Sequence, residues 1–161
     1  MSVLSVAQAV AVNCKLDPPS ALFGSSETEA VELRELATEC AQYVAEMHSW
    51  QLLTKLHTIT GDGTTESFDL PSDYGWMPVG QQVWSSSLET PLTRIMSRDR
   101  WLGLEVQSFD FVYNAWIIYG GQMHIKPALG SGSTAKFYYQ TLNRCADSGG
   151  VAKETFTADD D

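Results

Sequence analysis

Basic side chains are scarce in this 161-residue chain: ten Lys and Arg stand against twenty Asp and Glu, a formal net charge of −10. Generic binding to a nucleic-acid backbone relies on cations that neutralise phosphates, so this balance argues against a broad nucleic-acid-binding surface. Cysteine is scarce too. Cys14, Cys40 and Cys145 are odd in number, far apart and without a CxxC pair. That pattern points to neither a zinc site nor a disulfide framework, and fits reduced thiols in a cytosolic setting. No run of about 18 uncharged apolar residues occurs, so no membrane span is expected. The first twenty residues, MSVLSVAQAVAVNCKLDPPS, are apolar but lack a leading basic segment. They do not read as a signal peptide, and a soluble protein is expected.

Catalytic signatures are missing as well. His48, His57 and His124 show no HxxxH or HExxH spacing. There is no G-x-S-x-G elbow, P-loop or G-x-G-x-x-G, and each glycine cluster falls where a turn between strands is wanted, not ahead of a helix. The terminal Asp159-Asp160-Asp161 run lacks the alternating ligands, Gly turn and later Glu of a calcium loop. Asp110, with Trp101 and Trp116 as a sugar platform, is the nearest approach to a glycosidase arrangement. The five tryptophans, however, read more simply as core or interface anchors.

What is there is ordinary globular material: 43% apolar and 11% aromatic residues, enough for one domain with a real core. Ser2 is placed to cap a helix over Ser2–Val12 that is apolar nearly all round and should therefore be covered. Asp17-Pro18-Pro19 stops it. A long helix is predicted from Ser26 to His48, opened by a capping box of Ser26 and Glu29. Its stripe of Leu33, Leu36, Ala37, Cys40, Val44 and Met47 should face the core, with Glu32, Glu35, Glu39, Gln42 and Glu46 opposite.

After Trp50 the period shortens. Leu56–Thr60 and Thr65–Leu70 flank Gly61-Asp62-Gly63, which predicts a hairpin. Gln82–Ser86 and Pro91–Ile95 read as two more strands around a turn, and Ser97 as the cap of a short helix to about Leu104. Tyr113–Tyr119, a Gly120-Gly121 turn and Met123–Lys126 follow. A flexible Gly130–Ser133 loop leads to a last strand, Thr134–Thr141. From Asn143 the chain is polar, with Gly149-Gly150, and is expected to order only on a partner. The expected fold is α+β: two N-terminal helices packed with a small antiparallel β region that contains one short helix. The parts are a helical stretch to about residue 50, a β-rich stretch over 56–141 and a polar tail over 142–161.

Several short motifs, in order, point to a family. The long helix ends in M-H-S-W-Q-L-L, and F-D-L-P-S-D-Y follows the first strand pair. Pro91 precedes S-R-D-R-W, and then come Y-G-G-Q-M-H-I-K-P-A, F-Y-Y and finally F-T-A-D-D-D. This succession, over residues 26–161, resembles the adaptor (head-to-tail connector) proteins of tailed bacteriophages. The resemblance implies a virion protein, made in the host cytoplasm, that forms a ring, usually dodecameric, between the portal and the tail. It implies contacts with its own copies, with the portal protein and with tail proteins. It also implies no cofactor, no metal and no reaction, and a passage through which DNA moves without specific binding. Family members commonly continue past the last motif into a segment that helps engage the portal; this sequence stops at Asp161.

Candidate interface residues are Gly61, Asp62, Gly63, Gly130 and Ser131, because hairpin tips project from a body. Phe156 and Asp159 join them from the last motif. Glu32, Glu35, Glu39 and Glu46 are candidates for the wall of the DNA passage, where like charge keeps the duplex sliding; an ordinary solvated face reads equally well. Trp50, Phe68 and Trp101 are expected as internal anchors. The alternative functions are a tail-associated or carbohydrate-binding module using exposed aromatic side chains, and, last, a small hydrolase.

Overall fold

The computed structural model describes residues 2–106, 114–146 and 151–156. In chain order the elements are α1 (Val3–Asn13), α2 (Thr28–Met47), β1 (Thr54–Thr60), β2 (Ser67–Asp69), β3 (Tyr74–Trp76), β4 (Trp84–Ser85), β5 (Thr90–Pro91) and β6 (Thr93–Arg94). Then come α3 (Arg98–Val106), β7 (Ala115–Tyr119), β8 (Gln122–Lys126), β9 (Thr134–Thr141), β10 (Cys145–Ala146) and β11 (Ala152–Lys153). Among the described residues, three α-helices with sheets of antiparallel and mixed pairing make the fold α+β. Its contacts divide the chain into two compact units, one of residues 1–53 with 141–161 and one of residues 54–140.

In the first unit α1 begins where expected: Ser5 N–H donates to Ser2 Oγ over 3.2 Å. Its partner α2 has no side-chain cap. Glu27 occupies the cap position, and Ser25 Oγ, not Ser26, accepts from Glu27 N–H. The predicted capping box therefore does not form, because the helix starts one residue later than the box requires. Ala7, Ala11, Leu22 and Leu33 form the core here, with Val3, Leu4 and Phe23 packed against it. This core is small, and two expectations fail on it. Val6, Val10 and Val12 of α1 remain exposed, so that helix is not covered all round. Of α2 only Ala30 and Leu33 are buried, and Leu36, Cys40, Val44 and Met47 are exposed. The apolar period was real; the partner surface extends only along the first half of the helix. The segment after Asn143 contributes β10 and β11, paired antiparallel, where a segment without structure of its own was expected.

The second unit holds two sheets. One runs β1-β9-β4-β5, with β3 also paired to β9; the other runs β2-β8-β7-β6. Trp116, Phe137, Met123, Ile125 and Val83 are almost wholly buried in the core, alongside Ile59, Ala135 and Tyr139. Trp101 of α3 closes a smaller cluster with Ile95, Ala115 and Ile117. Ser97 caps α3 as predicted, accepting from Arg100 N–H at 3.4 Å. Gly120 and Gly121, both at positive φ, join β7 to β8 in a two-residue hairpin, the backbone demand that makes glycine the residue of choice there. Residue 113, the expected start of that strand, lies outside the described residues.

The predicted hairpin around Gly61-Asp62-Gly63 does not form. β1 pairs with β9 along its whole length, Thr54 with Gln140 through Thr60 with Thr134, while β2 pairs with β8 in the other sheet. The run after the β4–β5 turn divides similarly: Thr90-Pro91 returns on β4, and Thr93-Arg94 crosses to lie parallel to β7. The reason is burial. Strands that alternate in sequence satisfy two stacked inner faces better than one flat meander, and local turn chemistry does not distinguish the two outcomes.

Candidate functional site

The Gly61–Gly63 and Gly130–Ser133 loops, expected as free tips, bind each other. Gly61 N–H donates to Ser133 O at 2.8 Å, Gly63 N–H to Leu129 O at 2.9 Å, and Gly132 N–H to Gly61 O at 3.0 Å. Gly61 is buried, and a Cβ there would overlap both the side chain and the carbonyl of Leu129. Asp62 is spent on the turn: its Oδ1 accepts from Thr64 N–H (2.8 Å) and Thr65 N–H (2.7 Å), and its Oδ2 from the Thr65 hydroxyl. These donors favour the charged form and hold its carboxyl well below the usual range. Asp62, Gly63, Gly130 and Ser131 stay exposed on the outside of this lock. Phe156 is half-buried in the other unit, and Asp159 lies outside the described residues, as do Asp110, Gly149 and Gly150.

Two titratable clusters sit in the second unit. Asp73 accepts from Tyr139 Oη at 2.7 Å and from Lys55 Nζ at 2.6 Å. Burial, together with the hydrogen bond to Asp73 and its negative charge, pushes the Tyr139 phenol up to about 12. His57, edge-on to Phe137 on the same strand pair, is lowered by burial, with the Asp73 charge opposing. Both effects follow from a polar clamp drawn over the core, and the clamp ties β1 and β9 to the segment ahead of β3. The other cluster is Ser67 and His124, register partners on β2 and β8, with Ser67 Oγ 2.8 Å from His124 Nδ1. The imidazole lies flat on the Tyr119 ring at 3.9 Å, and Glu105 accepts from Trp101 Nε1 at 2.7 Å and more weakly from Tyr119 Oη at 3.4 Å. Ring stacking and strand register account for this arrangement. Among the described residues no three His, Cys, Asp or Glu side chains converge as a metal site would need, and no helix is long and apolar enough to cross a membrane.

The surfaces that stand out are apolar. On α2, Leu36, Tyr43 and Met47 fall in a stripe about 40° wide at 3.6 residues per turn, and Tyr43 and Met47 are 67% and 66% exposed. Glu32, Glu35, Glu39 and Glu46 are all exposed and run along one flank of that stripe. Arg34 pairs with Glu35 at 3.3 Å and Gln42 donates to Glu46 at 2.9 Å. Beside the stripe, Cys40, Val44, Trp50, Leu52 and Leu53 line an open groove of about 450 Å³ with Arg144 at its rim. Trp50, expected inside, is exposed, its indole N–H donating to Val44 O at 2.8 Å. Trp101 is the anchor it was expected to be, and Phe68 is half-buried against the core.

The second unit carries its own apolar surface on the outer face of the β1-β9-β4-β5 sheet. Register sets one row of Pro91, Trp84, Lys136 and Thr58, and beside it Tyr138 with Leu56. All six are exposed, Trp84 at 52%, Leu56 at 54% and Tyr138 at 48%. This face was missed in sequence, although the alternation in Thr134–Thr141 signals it: Phe137 and Tyr139 point inward, so Lys136 and Tyr138 must point out. No protein-family model matches the chain, and no curated protein is similar to it in sequence.

Proposed function

We propose that this protein is a structural subunit that works by assembling with other chains, and specifically an adaptor of the head-to-tail connector kind. In this reading a ring of its copies joins the portal of a tailed-phage capsid to the tail, within the virion, and catalyses nothing. One observation carries the assembly reading: α2 and the turn after it expose Leu36, Tyr43, Val44, Met47 and Leu52, the last at 97%. A helix half buried by its own chain and apolar beyond that point is built to be covered by a partner. The motif succession from the long helix to the final F-T-A-D-D-D supplies the particular partners, namely further copies, the portal and tail proteins. The exposed carboxylates of Glu35 and Glu46, on the side of α2 farther from the apolar stripe, suit a passage for DNA without specific binding, since they repel phosphate.

Purified protein, alone and mixed with a tailed-phage portal protein, tests the reading by native mass spectrometry and negative-stain electron microscopy. Closed rings, or a collar on the portal, are expected. A chain that remains monomeric in both conditions overturns it. The exposed Trp84 and Tyr138 favour one second reading, a carbohydrate-binding face on the outer sheet surface. Its test is glycan binding lost on Trp84→Ala; Trp101, buried at 3%, is not the residue to mutate.

A further inference from the structure

The apolar stripe of α2 and the apolar outer sheet face differ in charge. The sheet face has a cation at its centre: Lys136 lies between Trp84 and Thr58 in its row and next to Tyr138 along its own strand. Among the described residues Lys136 has no ion-pair partner; the basic residues that do are Arg34, Lys55 and Lys126. The α2 stripe is the converse. Glu39 lies three residues after Leu36 and four before Tyr43, and Glu32 four before Leu36, so both carboxylates border the apolar side chains directly. Neither has an ion-pair partner among the described residues.

We propose that the α2 stripe of one copy docks on the outer sheet face of the next copy, Leu36, Tyr43 and Met47 covering Trp84, Tyr138 and Leu56, with Glu39 paired to Lys136. The occupant follows from charge. Two sheet faces brought together would oppose Lys136 to Lys136, and two stripes would oppose their acidic rows, so each surface rejects its own kind. Each is complementary to the other in both apolar content and sign. Both sit on every chain, so the contact is head-to-tail, the kind that closes into a ring when the rotation between copies permits and that a two-fold dimer cannot use. The inference rests on the ring-subunit reading and names the surfaces that such a ring would bring together.

The experiment is a charge exchange read by native mass spectrometry and by sedimentation, with circular dichroism confirming that each variant is folded. Lys136→Glu and Glu39→Lys are each expected to weaken self-association about tenfold or more, and the double variant to restore most of it. Wild-type copies joined by a zero-length carbodiimide should yield an intermolecular Lys136–Glu39 cross-link. If wild type forms rings and both single variants form them equally well, this contact is wrong while the ring-subunit reading stands. If wild type forms no assembly alone or with the portal protein, both fall. If wild type stays monomeric and binds glycans through Trp84, the sheet face belongs to a sugar and not to a second copy.

Discussion

Residues 54–140 bring Trp116, Phe137, Met123 and Ile125 to 1% exposure or less, whereas among the described residues of 1–53 with 141–161 Leu22 is the only large side chain buried to that degree. Tyr43, Met47 and Leu52 of the second group stand in solvent instead. The difference is architectural. Two sheets present opposed inner faces that alternate side chains can fill from both sides, and a lone pair of helices shares one seam. The unit with the sheets stabilises itself; the unit with the helices holds apolar area in reserve. The proposed role in assembly would use both, a body that keeps its shape and a surface that a neighbour completes.

The sharpest way to separate the two units is at their cores. Phe137→Ala should destabilise the protein by about 3–5 kcal/mol, measured by urea unfolding, and a loss under 1 kcal/mol would mean that the sheet core is not close-packed. Gly61→Ala should cost about 2 kcal/mol, because the new methyl meets the backbone of the Leu129–Gly130 loop; an unchanged midpoint would break the loop–loop lock. Leu33→Ala, at the helical seam, should fall at the low end for buried leucine, about 2 kcal/mol, and amide exchange would place the loss in α1 and α2.

The pH dependence belongs to the sheet unit. His57 titrates below its ordinary 6.5 when folded, so between that value and its lowered pKa the unfolded chain binds more protons. Stability from this site is complete above about pH 6.5 and declines as the pH falls. His57→Gln should remove that part of the slope. Tyr139, raised to about 12, acts at the other end: above pH 10 the unfolded chain loses its phenolic proton first, and stability declines until about pH 12. Tyr139→Phe should flatten that limb in alkaline titrations of the melting temperature. Smallest of all in stability is Met47→Ser on the exposed stripe, expected within about 0.5 kcal/mol of wild type. Its effect should appear as weaker self-association in sedimentation, and a large stability loss there would show that the stripe is part of the chain's own core.

Local chemistry was legible from the residues alone. The Ser2 cap, the existence of the long helix, the Ser97 cap of α3 and the Gly120-Gly121 hairpin rest on interactions within a few residues, the Thr134–Thr141 strand shows in its own alternation, and each is present. So was the acidic flank of α2, since helical period sets which side chains share a face. Pairing between distant segments was not legible. Gly61-Asp62-Gly63 reads as a hairpin turn because glycine and aspartate suit any tight reversal; that β1 instead joins β9, some 75 residues on, depends on which partner buries Ile59 against Ala135 and Phe137. The stripe on α2 shows the same limit from the other side. Its period announces a helix with an apolar face, and only the finite extent of the opposing surface determines where that face stops being core and becomes exposed surface.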